Sequence, residues 1–322
     1  MHRFVHCWLG GLAAALLVSC HREPVEPAPR TPGAVATNLQ TFAVKGVVRG
    51  LDPASALVHV EHEAIPGYME QMTMPFDVKD TNELSGLLVG DAVSFRLRVT
   101  DAEGWIDQIV KIPLDRVALK PKPRPPVRVT RVVEPLEVGD LLPDYPFTNE
   151  LGQAIRLHQF RGQALGLTFI FTRCPYPNFC PRMSANFAQA CQQLLARADG
   201  PTNWHLLSVS FDPDYDTPAV LRAYAEGYAH PPGRWSFATG AMIEIDAITE
   251  QFGMVFAPDG SFFSHNARTA VVDAHGRVQR IFVGNDWKVA ELVAEMVKAA
   301  SVQEPPATPT PLPGAPAGVA PH

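Results

Sequence analysis

Two groups of residues in this chain have the types and spacing to do chemistry with sulfur or with soft metal ions. Cys174 and Cys180 flank the segment Pro-Tyr-Pro-Asn-Phe and follow directly on the apolar run 164–171. A cysteine pair between a buried strand and a helix start sits where partial positive charge at the helix N-terminus lowers a thiol's pKa. Such a pair can exchange disulfides, or bind a metal if a further donor joins it. A structural disulfide is the alternative, and Pro175 and Pro181 beside what reads as an exposed turn disfavour it. The second group is His62, Met69, Met72 and Met74, with three of the chain's eight methionines inside six residues. Period-2 alternation puts Met72, Met74, Phe76 and Val78 on one strand face, and His62 on the face of Val58 and Val60. If those strands pair, an imidazole and two thioethers converge at one end of a barrel. That donor set selects Cu(I) over zinc or hard cations. The absence of aspartate among the donors disfavours calcium. The same methionines also suit an irregular core. His59 has the opposite parity and reads as a surface residue.

The elements that must position these groups fall in two blocks of ordinary composition. Residues 40–115 contain clean alternation in 92–99, with similar patterns in 42–48, 57–62, 72–78 and 105–112. Five short strands in so few residues predict a small all-β barrel of OB-like type. Residues 136–300 read differently. The buried strand 164–171 leads through the cysteines into a helical stripe, Met183, Phe187, Cys191, Leu194 and Leu195, ending near residue 197. Strand 204–211 follows, and then a helix capped by Thr217 with Pro218 at its first position. Strands 268–273 and 277–283 meet at a turn and precede a helix over 287–300. This order predicts an α/β, thioredoxin-like fold. Cys191 fits the core side of its stripe.

Proline marks the boundaries. The chain has 31 prolines in 322 residues, and they concentrate in 21–38, 120–126 and 303–322. These stretches read as extended linkers or tails. The predicted organisation is a leader over 1–19, a tether over 20–39, the barrel over 40–115, a linker over 116–135, the thioredoxin-like block over 136–300 and a tail over 301–322. The net charge of −6 gives no footprint for nucleic acid. At the N-terminus, Trp8 to Val18 is an apolar run too short to span a bilayer but suited to a signal peptide. It ends in Leu17-Val18-Ser19-Cys20, which resembles the bacterial lipobox and implies a lipidated Cys20, a membrane anchor and a periplasm-facing mature protein. Removal of Cys7 and acylation of Cys20 leave three cysteines, too few for a disulfide scaffold.

Two family resemblances follow from these residues. Over most of 40–112, His62 and Met72-x-Met74, with Gly46-Val47-Val48, Gly90-Asp91 and Val93-Ser94-Phe95, resemble the periplasmic copper-binding domains of the CusF type. The resemblance implies a copper site at His62, Met72 and Met74. Met69 stands where that family's best-known members carry tryptophan, so a third thioether replaces a cation–π contact. Over nearly all of 136–300, the chain resembles the Sco/SenC family of copper chaperones for cytochrome c oxidase assembly. The match rests on Thr172-x-Cys174…Cys180-Pro181, on Ser208-x-Ser210-x-Asp212-Pro-x-x-Asp216-Thr217-Pro218, and on His265 eight residues before Asp273. It implies that Cys174, Cys180 and His265 bind one copper, as Cu(I) and tolerably as Cu(II). His158, His205, His230 and His275 match no family ligand and read as structural. The family's pattern has three residues between the cysteines, and this chain has five.

Two functions of different classes are open at this point. One is a membrane-tethered copper chaperone that receives copper from a donor and passes it to a copper-requiring oxidase subunit. The other is a thiol:disulfide oxidoreductase in which Cys174 attacks and Cys180 resolves. A copper sink, with binding but no client, is a third.

Overall fold

The computed structural model describes residues 38–121, 130–228, 231, 233–259 and 262–301. The leader, Cys20, all but the last residues of the tether, linker residues 122–129, His230 and nearly all of the tail lie outside them. Among the described residues, no helix is long and apolar enough to cross a membrane.

Strands β1 (Gln40–Asp52), β2 (Leu57–His62), β3 (Met72–Asp77), β4 (Ala92–Val99) and β5 (Gly104–Lys111) form one antiparallel sheet in the order β3-β2-β1-β4-β5. A bridge between Val78 and Ile106 joins its edges and closes the barrel. The alternation seen in sequence is the inward and outward alternation of the barrel wall. Val93, Phe95, Leu97 and Val99 are buried, and so are Val58, Val60, Met72, Met74 and Phe76. β2 and β3 pair with His62 opposite Met72, Val60 opposite Met74 and Val58 opposite Phe76. His59 is exposed, as its parity requires.

The second block opens with a hairpin, β6 (Pro146–Asn149) and β7 (Ala154–Arg156). Then come β8 (Ala164–Ile170), α1 (Cys180–Leu195), β9 (Trp204–Ser210), α2 (Pro218–Glu226), β10 (Trp235–Thr239), α3 (Met242–Gln251), the hairpin β11 (Phe256–Asp259) and β12 (Phe262–His265), β13 (Arg268–Val272), β14 (Val278–Val283) and α4 (Val289–Ala300). Seven strands make one sheet, β14-β13-β8-β9-β10-β6-β7, with β8, β9 and β10 parallel. Every residue of β8 and β9 is buried. That is why their sequences run apolar without alternating: both sheet faces are covered. Thr217 accepts from the Val220 amide and caps α2, and Cys191 is fully buried in the core side of α1.

The sequence reading passed over β6, β7, β10, α3 and the β11–β12 hairpin. β11 carries a proline and a single buried residue, so it shows no period, and α3 is buried along most of its length and lacks a sharp polar face. The linker also differs from an extended tether at its ends. The Ala118 amide donates to Glu63, the Lys120 amide and carbonyl pair with the Gln71 side chain, Arg131 pairs with Glu244 at 2.6 Å, and Glu134 O accepts from the Gln251 side chain at 3.1 Å.

His205, read as structural, lies in β9 stacked on Phe160 at 4.7 Å, with Nε2 3.1 Å from Ser236 Oγ. Burial lowers its pKa to about 4. The folded state therefore holds the neutral ring while the unfolded chain protonates near 6.5. Its contribution is fully present above about pH 6.5 and is lost as pH falls toward 4, amounting to roughly 3 kcal/mol across that window. Urea unfolding at intervals from pH 7 to 4 should show this slope. A His205→Gln chain should lose most of it, and an unchanged slope would contradict the assignment.

Candidate metal centre

The Cys174–Cys180 segment leaves the end of β8 and re-enters structure at the first residue of α1. His265 ends β12 on the neighbouring hairpin. One ligand atom from each of Cys174, Cys180 and His265 lies within 4.8 Å of the other two. Cys180 is buried and Cys174 half-buried, and both are free thiols. The His265 ring is enclosed by Phe211, Phe179 and Phe171, with centroids at 5.1, 5.4 and 5.6 Å. His265 Nδ1 is 2.8 Å from Asn266 O. A carbonyl can only accept, so Nδ1 donates here, and whenever the ring is neutral its lone pair lies on Nε2.

The two thiols are not equivalent. Burial acts to raise Cys174, but hydrogen bonds with Cys180 and His265 and the charge of the imidazole outweigh it and hold Cys174 well below the ordinary thiol range. Burial, then the adjacent Cys174, pushes Cys180 well up. Position at a helix start alone pointed to both thiols being lowered. Here the cysteine that begins α1 is the raised one, because desolvation and its neighbour's charge exceed the helix term. Two thiolates and an imidazole in an aromatic enclosure fit a soft, low-coordinate ion.

The motif residues around Asp216 fix this geometry. Asp216 is fully buried in the turn before α2. It accepts from the Thr172 amide at 3.0 Å, the Thr172 hydroxyl at 2.5 Å and the Ser210 hydroxyl at 2.5 Å. Burial raises its carboxyl against those bonds. Arg173 pairs with Asp212 at 2.7 Å and lies over Tyr215 at 4.3 Å. The two residues before Cys174 are thus both clamped to the loop that follows β9.

The intervening five residues are not the exposed turn the sequence suggested. Tyr176, Pro177 and Asn178 are buried, because they pack into the barrel. Tyr176 joins the barrel's own core, edge-on to Phe76 at 5.8 Å, and its hydroxyl donates to Gly104 O at 2.8 Å. Asn178 accepts from the Gly104 amide at 2.8 Å, donates to Gly104 O at 2.7 Å and also donates to Asp77. Tyr68 donates to Pro175 O at 3.0 Å, and the Thr73 amide donates to Asp259 Oδ2 at 2.7 Å. Tyr176, Asn178, Gly104 and Asp259 had no signal in the sequence, since their roles exist only where the two blocks meet.

Of the barrel's sequence-predicted donors, His62 and Met72 are cross-strand partners and Met74 lies two residues along the same face. All are buried. His62 Nδ1 lies 2.7 Å from Glu63 O, so this imidazole also presents Nε2 as its lone-pair nitrogen. Met69 is buried in the β2–β3 turn, bridged to Ile65. Met72 and Met74 line a cavity of about 20 Å³ together with Cys174 and His265. A wider cleft of about 360 Å³, lined in part by Asp52, Asp77, Arg182 and Asp286, reaches His265 from outside. His158 is exposed beside Asp144, and His275 lies in the β13–β14 turn.

A thioredoxin-like sheet with two cysteines at the β8–α1 junction and a histidine on an adjoining hairpin defines a class, and comparison with known proteins specifies it. The SCO1/SenC family model matches residues 134–301, and the model of the copper binding periplasmic protein CusF matches residues 41–111. The chain belongs to the SCO1/SenC family. A curated relative, the SCO1 protein homolog of Bacillus subtilis (strain 168), is 27% identical over 161 residues, 49% of this chain and 81% of the relative. Among solved structures, a SCO1/SenC family lipoprotein from Bacillus anthracis str. Ames covers 50% of this chain and 95% of its own, at 23% identity and a TM-score of 0.46. Arabidopsis thaliana ScoI with copper bound covers 51% and 98%, at 18% identity and a TM-score of 0.42. Bradyrhizobium japonicum ScoI with copper bound covers 51% and 99%, at 21% identity and a TM-score of 0.41.

The Asp216 clamp makes a measurable prediction. Asp216→Ala strands three buried donors, each costing about 1 kcal/mol or more, so unfolding free energy in urea should fall by about 3 kcal/mol or more. Asp216→Asn keeps a carbonyl acceptor and should lose less. Equal, small losses for both would show that the carboxylate does not hold Thr172.

Proposed function

We propose that this protein is a copper chaperone of the cell envelope, which takes up Cu(I) and passes it to a copper-requiring oxidase subunit of the cytochrome c oxidase type. The observation that carries the reading is the convergence of Cys174, Cys180 and His265 within 4.8 Å. Each supplies a soft or borderline donor, and none is tied up in a disulfide. On loading, the protons still held by the thiols and the ring leave, and with Nδ1 bonded to Asn266 O the imidazole offers Nε2 to the ion. The barrel holds a second donor set, His62, Met72 and Met74, with Met69 in support. Thioethers bind Cu(I) without proton release, which suits a site that accepts copper and gives it up again. The cleft that reaches His265 from outside is the route by which a client's ligands would take the ion. The two family matches support a copper role for both halves, and lipidation at Cys20 would hold the chain at the membrane facing the periplasm.

A second reading, a thiol:disulfide oxidoreductase, draws on the adjacency of Cys174 and Cys180. Their unlike proton affinities suit one attacking and one resolving thiol.

Titrating the reduced full chain with Cu(I) under anaerobic conditions separates these readings. The chaperone reading expects one tightly held equivalent that disappears in Cys174→Ser/Cys180→Ser and weakens at least about tenfold in His265→Ala, since one of three ligands is lost. A further, weaker equivalent should disappear in Met72→Leu/Met74→Leu. The oxidised chain should keep only the barrel's equivalent. Failure of the reduced cysteines to bind, with turnover of a disulfide substrate in the absence of copper, would establish the oxidoreductase instead.

A further inference from the structure

The cavity that separates the barrel from the cysteine site is lined by donors from both halves. Met72 and Met74 stand on its barrel side, and Cys174 and His265 on the other. Its volume of about 20 Å³ admits one water-sized occupant. The remaining walls are chiefly aromatic and proline rings, including Phe179 and Tyr176. Two thioethers, one thiol and one imidazole around so small and apolar a space form a donor set complete in itself, composed of residues from the barrel strand β3, the Cys174–Cys180 loop and the β11–β12 hairpin.

The loop between the cysteines explains why the two halves meet there. Tyr176 is buried in the barrel core and Asn178 bonds both polar groups of the Gly104 peptide unit. Both lie between the two cysteines. That segment reaches across and plugs the barrel, and it carries Cys174 at one end and Cys180 at the other. Docking and donor placement are therefore set by the same few residues. Asp259, on the hairpin that ends in His265, adds its bond to the Thr73 amide between Met72 and Met74. Both cysteine-side walls of the cavity are thereby fastened to the methionine strand.

Building on the copper reading above, we propose that this cavity is a transit site for Cu(I), shared by both halves and held shut by the Tyr176–Asn178 plug. The ion moves from the barrel to the cysteines without release to solvent. The transfer is ligand exchange at constant oxidation state. Cu(I) held by His62, Met72 and Met74 gains a bond to Cys174 Sγ, the one proton held between that sulfur and His265 is displaced to water, and a thioether bond breaks. Bonds to Cys180 Sγ and His265 Nε2 then replace the remaining thioether and His62 bonds, with a second proton released. No electron moves.

The test uses the reduced full chain charged with one equivalent of Cu(I), the parent beside Gly104→Ala, Tyr176→Ala and Met72→Leu/Met74→Leu. A Cβ on Gly104 would stand 2.5 Å from Tyr176 Cε2, so Gly104→Ala disrupts the plug from the barrel side without altering any donor. Three readouts are taken: the radius of gyration by small-angle scattering, the rate at which an excess of a Cu(I) chelator strips the ion, and the rate at which the cysteines of the copper-free chain fill from a supplied Cu(I) complex. The proposal expects Gly104→Ala and Tyr176→Ala to expand and to release copper at least about tenfold faster, since a donor set held in place loses its effective concentration. The methionine variant should stay compact and fill its cysteines more slowly, because the thioether step is lost. Release at the parent's rate from both plug variants, or filling at the parent's rate by the methionine variant, overturns the transit site while leaving the chaperone reading standing. A parent that takes up no Cu(I) at its cysteines overturns both.

Discussion

A five-residue loop that is buried must find partners for its polar groups, and most of what is distinctive in this chain follows from where those partners lie. Within its own block the Cys174–Cys180 segment has the ends of β8 and α1 and the Asn285 side chain, which donates to Asn178 O. The barrel supplies the other partners, Tyr68, Asp77 and above all Gly104, whose amide and carbonyl answer the Asn178 side chain and whose carbonyl also accepts from Tyr176. Gly104 suits this contact because a side chain there would occupy the Tyr176 ring's space. The exchange fixes loop conformation, barrel position and the approach of Met72 and Met74 to Cys174 together. Leaving any of these buried groups unpaired would cost on the order of 1–3 kcal/mol.

Around that contact the two halves prepare their donors in similar ways. His62 and His265 each give Nδ1–H to a carbonyl of the following residue, leaving Nε2 as the donor nitrogen. Each ring has an aromatic neighbour at van der Waals range, Phe76 for His62 and three phenylalanines for His265. The halves differ in what surrounds the sulfur. Thioethers carry no proton and need no desolvation of charge, so they sit in the barrel core at little cost. The thiols need a way to bear charge, and the imidazole and the paired cysteine provide it for Cys174. On the proposed copper reading, a soft cation passing from neutral thioethers to thiolates would move toward stronger donors, so the order of the two sites would give transfer a direction.

Much of this was legible in sequence, and the part that was not shares one cause. Alternation placed Met72, Met74 and His62 correctly, because a barrel wall enforces period 2. Thr217-Pro218 announced α2, and the continuous apolar run of β8 announced a strand covered on both faces. The thioredoxin-like order could be read although β10 and α3 were passed over, since the cysteine junction and the C-terminal hairpin and helix carry the pattern. The loop is the exception: prolines and a tyrosine between two cysteines look solvent-facing by local chemistry alone, yet Tyr176, Pro177 and Asn178 are buried. Their burial comes from a surface more than seventy residues away in sequence. Gly104 and Asn178 are ordinary turn and strand-end residues by type, and only the contact between the two sheets gives them a role.

One copper ion held where the cysteines, His265 and the docked barrel meet would be visible in crystals of the reduced full chain grown with one equivalent of Cu(I) and measured at the copper absorption edge. The expected result is a single anomalous peak bonded to Cys174 Sγ, Cys180 Sγ and His265 Nε2, with Tyr176 still seated in the barrel and Met72 and Met74 facing the ion. A peak confined to surface groups, or copper at the cysteines with the barrel displaced and Tyr176 in solvent, would contradict it.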